Sequence, residues 1–166
     1  MALEYWLRGP VENIPSLLQP AAHALLQARD EINTALIDFP GNKLWERPAN
    51  MASVAFHLQH IPGVIDRLFT YANGNALSEE QLIYLSEEGK QKENLTTGLL
   101  LEYLNNKIND ALNQLKEIDV KILTEERLVG RKQIPSTVNG LIFHAAEHTM
   151  RHTGQLLVTI AIVKLF

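Results

Sequence analysis

The chain has 166 residues, most simply one domain spanning residues 1–166 and long enough to bury a real core. Its 46% hydrophobic and 20% charged content is that of an ordinary globular protein, and a net charge of −4 gives no electrostatic footprint for nucleic acid. The absence of cysteine excludes disulfides, thiolate nucleophiles and thiolate metal sites, so any metal must be held by nitrogen and oxygen.

No uninterrupted apolar run approaches the ~20 residues of a membrane span, and the N-terminus lacks a signal-peptide apolar stretch. The default expectation is a cytoplasmic protein with no membrane partner. There is no internal repeat, low-complexity segment or interdomain linker.

Helical spacing dominates the chain. The first expected helix runs from Ile14 to Ile37, with Leu17, Leu18, Ala21, Leu25, Ala28, Ile32 and Leu36 as its stripe and Phe39-Pro40-Gly41 as its stop. The second starts near Ala49-Asn50 and continues to Ala72, before the turn Asn73-Gly74-Asn75; Pro62 inside it predicts a kink. Ser78 and Gln81 have capping-box spacing and open a short helix toward Gly89. The third long helix spans Thr97 to Ile118. A short segment, Thr124 to Leu128, leads to Val129-Gly130-Arg131. Pro135-Ser136-Thr137 then opens the last helix, with Ser136 or Thr137 as N-cap. The expectation is an all-α fold: a four-helix bundle with short extra helices in its connections.

Five of the six histidines fall in two of these helices. His144, His148 and His152 are spaced four apart, and neighbours at that spacing share a helix face, the geometry in which two imidazoles hold one ion. At 100° per residue, Leu141, Ala145, Leu156, Ile160 and Val163 form the core face. His152 lies within it, His148 at its edge, and His144 toward Glu147 and Arg151 on the outside. His144 and His152 are separated by about 12 Å of helix rise, too far to share one ion. The wheel therefore selects His148 and His152. On the second helix it favours His57 over His60 as their companion, subject to any rotation at Pro62. No glutamate follows a histidine that opens an HxxxH pair, so metalloprotease chemistry is unsupported.

The segment Ser53-Val-Ala-Phe-His-Leu-Gln-His60-Ile61, with His148-x3-His152-x-Gly154-Gln155 on the last helix, resembles the DinB-like (YfiT-like) metalloprotein superfamily. Trp45-x-Arg47-Pro48, Arg67-Leu-x-x-Tyr71 and Val129-Gly130-Arg131 add to the likeness, which spans about residues 14–160. The resemblance implies a four-helix bundle, commonly a homodimer, with a divalent ion, usually zinc or nickel, on three histidines. It maps the first ligand to His60 rather than His57, and the others to His148 and His152. We follow the resemblance here, since one proline undoes a wheel built on ideal geometry.

His57 and His144 then become outer partners of the ligands or residues lining the pocket mouth. Gln155 could hydrogen-bond a ligand or water, or serve as a packing amide beside a close-approach Gly154. Arg131 and Arg151 could grip an anionic group of a substrate, or be surface arginines. Three imidazoles leave a coordination position open, as in catalytic rather than structural sites. The resemblance implies a metal-dependent enzyme of the thiol S-transferase type, joining a low-molecular-weight thiol co-substrate to a small-molecule electrophile. The alternatives are a metal-dependent hydrolase, or a non-catalytic, stress-related protein that binds a metal or small ligand.

Overall fold

Four amphipathic helices enclose one apolar core in the computed structural model, which describes residues 3–165. Helix α1 (Gln19–Ala35) follows a 3-10 turn at Ser16–Leu18 and buries Ala21, Ala22, Leu25, Leu26, Ala28 and Ile32. It starts five residues later than the Ile14 expected from the stripe. Pro20 explains the difference: without an N–H it fits only the first turn, and a start at Ile14 would place it in the helix interior.

Helix α2 (Val54–Ala72) also begins later than expected. Ala49 and Asn50 sit at φ 50° and 59°, outside helical space, and Ser53 caps the helix by accepting from Phe56 N–H at 3.1 Å. The helix continues through Pro62. Short α3 (Glu79–Glu87) opens on the capping box of Ser78 and Gln81, as the spacing predicts. Helix α4 spans Thr97–Glu117 under a Thr96 cap, and α5 spans Val138–Val163 under a Thr137 cap.

Between α4 and α5 the chain departs from an all-helical reading. Strands β1 (Glu126–Val129) and β2 (Ile134–Thr137) form an antiparallel hairpin pairing Glu126 with Thr137 and Val129 with Ile134. Each strand is only four residues long, too short for a periodic signal, and a proline such as Pro135 is uncommon inside a strand. A two-stranded ribbon has only edges, so the missing donor is tolerated.

Helices α1 and α2 each pack against both α4 and α5, giving the ring order α1–α5–α2–α4. Leu25, Ile32, Leu58, Ile65, Leu104, Ile108 and Ile142 fill its interior. Among the described residues, no helix is long and apolar enough to cross a membrane. The packing of α2 against α5 sets their two histidine clusters face to face.

Candidate metal centre

His60 of α2 and His148 and His152 of α5 each bring one ring nitrogen into a group whose atoms lie within 4.8 Å of one another. The Nε2 atoms of His60 and His148 are 3.0 Å apart, and the His152 ring centre is 4.5 Å from that of His60 and 4.6 Å from that of His148. Ring nitrogens at that distance either share one tautomeric N–H in a hydrogen bond or turn their lone pairs to a common cation. Burial, then the neighbouring His60, lowers His148 and pushes His152 down to about 4, which disfavours added protons at neutral pH. His148 Nδ1 is moreover buried with no hydrogen-bond partner among the described residues. Imidazole nitrogens converging from two helices are a donor set that suits a divalent first-row cation.

The surrounding groups orient these rings. His60 Nδ1 meets Glu88 Oε2 at 2.6 Å, which directs the opposite nitrogen, Nε2, toward His148. His152 Nδ1 meets His57 Nδ1 at 3.1 Å. Phe56 stacks on His60 with ring centres 5.0 Å apart. His57 is buried, as the helical wheel places it, and burial followed by His60 pushes it down to about 4. It lies behind His152, outside the three-nitrogen group.

The remaining expected residues are placed differently. His144 is half exposed and 3.6 Å from Glu147. It belongs with Glu147 and His148 to a second possible ligand group. That group shares His148 with the first, and its carboxylate is already held by the exposed Arg151. Gln155 is exposed. Gly154 is exposed too, and a Cβ there would meet no described atom within 4 Å, so it is not a point of close approach. Arg131 lines a separate pocket of about 720 Å³ with Tyr71 and Arg127. Tyr71 lies eleven residues beyond His60 on α2, about 16 Å along the axis.

Sequence reasoning missed Glu88, and it took Arg67 only as part of a motif. Arg67 Nη1 donates to Glu88 Oε1 at 2.6 Å, and the Glu88 side chain is only 5% exposed. Buried Gln59 accepts from the Gly89 N–H at 2.8 Å, holding the turn that carries this carboxylate. One local signal existed: Pro62-Gly63 in the middle of an amphipathic helix marks a place where another chain segment comes close.

The profile of the DinB superfamily matches residues 24–156. The fold is similar to a crystal structure of a conserved protein from Enterococcus faecalis, with a TM-score of 0.70 and 17% sequence identity over 89% of this chain and 97% of that one. No curated protein matches the chain. With four-fifths of its length under that profile and a helical bundle carrying clustered histidines, the chain belongs to the DinB superfamily.

Proposed function

We propose that this protein is a metal-dependent enzyme whose divalent ion, zinc or nickel, is held by His60, His148 and His152. The observation that carries the reading is the convergence of three ring nitrogens from two helices within 4.8 Å. Membership of a superfamily that is often metal-binding supports it. Three nitrogen donors leave room for a further ligand, the open arrangement of catalytic sites. When bound, such an ion lowers the pKa of a thiol or a water molecule and keeps it nucleophilic near neutral pH.

The reaction class we favour is transfer of a low-molecular-weight thiol to a small electrophile. The carboxylates near the histidines favour this over hydrolysis. Glu88 is engaged by Arg67 and His60, and Glu147 by Arg151, so neither is free to act as a general base on water. A thiol needs no such base once it is ionised. What the chain supplies is orientation: Glu88 fixes the His60 ring, His57 contacts the inner nitrogen of His152, and Phe56 walls the His60 face. The reading includes a cytoplasmic homodimer, for which the exposed Phe143 and Val158 on α5 offer apolar surface a second copy could cover.

The test is elemental analysis by mass spectrometry on untagged protein purified without a nickel column. About one ion per chain is expected, lost in His60→Ala and retained in His57→Ala. Stoichiometric metal in a variant lacking all three proposed ligands would overturn the assignment. Thiol addition to cobalt-loaded protein should shift its visible spectrum; an unchanged spectrum would favour a non-catalytic binding protein.

A further inference from the structure

Little hydrophobic burial holds α3 in place: none of its residues is fully buried, Leu82, Ile83 and Leu85 are exposed, and its apolar packing is the half-buried Tyr84 ring, 5.4 Å from that of Tyr103 on α4. Polar contacts to α2 hold it instead. Gln81 Nε2 donates to Asp66 Oδ2 at 2.6 Å and to Thr70 Oγ1 at 2.7 Å, and the Tyr84 hydroxyl donates to the Gln59 carbonyl at 2.9 Å. A segment attached this way sits at the low end of local stability. Yet just beyond its last turn is Glu88, whose buried carboxylate bridges Arg67 and His60.

Gly63 makes that approach possible. A Cβ at this position would stand 2.8 Å from Arg67 Nη1 and from Tyr84 Cε1, and would collide with Glu88 Oε1. Gly89, at φ +81°, turns the chain directly after the carboxylate, with Phe56 against it. A buried carboxylate needs compensation for lost hydration. Arg67 provides the opposite charge at one oxygen, and the other oxygen is left for His60.

We infer that Glu88 is a positioning residue of the metal centre, and that docking of α3 on α2 and metal binding at His60 are a single linked equilibrium. The inference rests on the reading of His60, His148 and His152 as ligands. By accepting from Nδ1–H, Glu88 fixes the tautomer that leaves the His60 Nε2 lone pair free, the arrangement in which a carboxylate orients and strengthens a histidine ligand. A cation at Nε2 draws charge from the ring and strengthens the Nδ1–H bond to Glu88 in return. Metal therefore tightens α3, and by reciprocity anything that frees α3 weakens metal binding. His152 is turned toward His57 on α2, so the link to α3 runs through His60.

The test uses zinc as probe on the full chain, with affinity read by competition against a chromophoric chelator. Glu88→Gln is expected to weaken zinc binding about 10–100-fold. Gln81→Ala, which touches no proposed ligand, should weaken it about threefold while raising amide exchange in residues 79–88, the effect of losing docking hydrogen bonds. On the wild-type chain, which needs no variant to fold, zinc should slow exchange across the same residues.

Stoichiometric zinc in wild type, with unchanged affinity in Glu88→Gln and exchange in α3 indifferent to zinc, overturns this inference alone. It would leave Glu88 as the ion-pair partner of Arg67. A Gln81→Ala chain that frees α3 yet binds zinc as wild type does breaks the linkage. A wild-type chain that takes up no zinc overturns the ligand assignment and this inference together.

Discussion

His57 and His152 meet Nδ1 to Nδ1 at 3.1 Å across 95 residues of sequence. One ring must donate and the other accept. If His152 ligates through Nε2, its proton sits on Nδ1 and His57 is the acceptor, fixed in the Nε2–H tautomer. Replacing His57 by leucine keeps most of the volume at this buried position and removes the acceptor. The expected outcome for His57→Leu is unchanged metal stoichiometry with affinity lower by about 10–100-fold. Zinc competition and elemental analysis check this; loss of the ion itself would make His57 a ligand.

Acid should destabilise the metal-free protein in a defined window. His57 and His152 are pushed down to about 4 by burial and neighbouring histidines, from an ordinary value of 6.5. Between those values the unfolded chain binds more protons than the folded one. Unfolding then takes up protons, and stability falls as pH drops. Urea midpoints should hold steady above pH 6.5 and decline from there toward pH 4. Saturating zinc should move the decline to lower pH, because protons must compete with the ion for the ligand nitrogens. Midpoints independent of pH across this window would contradict the burial of these rings.

The long helices, the capping box at Ser78 and the pairing of His148 with His152 were legible because each rests on spacing within one helix. The wheel was also right that His57 faces inward more than His60. Depth is a different quantity from convergence: the deeper ring lies behind His152, while His60, nearer the rim, brings its nitrogen into the group with His148 and His152. No periodicity encodes such a difference, because it depends on how closely α2 and α5 pack. Glu88 was invisible for a related reason. It lies 28 residues from His60, beyond a helix with no fully buried residue, and it is buried only because α3 docks through polar contacts and Gly63 leaves room. The β1–β2 hairpin escaped through its brevity and Pro135, and the later starts of α1 and α2 were set by Pro20 and by the positive φ of Ala49 and Asn50.

Two helical glycines should respond in opposite directions to the same substitution. Alanine in place of glycine inside a helix gains about 0.5–1 kcal/mol from backbone entropy. At Gly154, exposed on α5 with no described atom within 4 Å of an added Cβ, nothing opposes that gain. Gly154→Ala should therefore raise Tm by about 2–4 °C, the shift that roughly 1 kcal/mol produces in a chain of this size. At Gly63 the new methyl meets Arg67, Tyr84 and Glu88, and the Arg67 and Glu88 side chains are only 11% and 5% exposed and locked to each other. Overpacking of this kind costs about 1–3 kcal/mol, which outweighs the helix gain. Gly63→Ala should lower Tm by a few degrees and, by displacing Glu88 from His60, weaken zinc binding as well. Differential scanning calorimetry of both variants checks the pair. A stabilised Gly63→Ala with wild-type zinc affinity would mean that α3 does not approach α2 as closely as the contacts of Glu88 require.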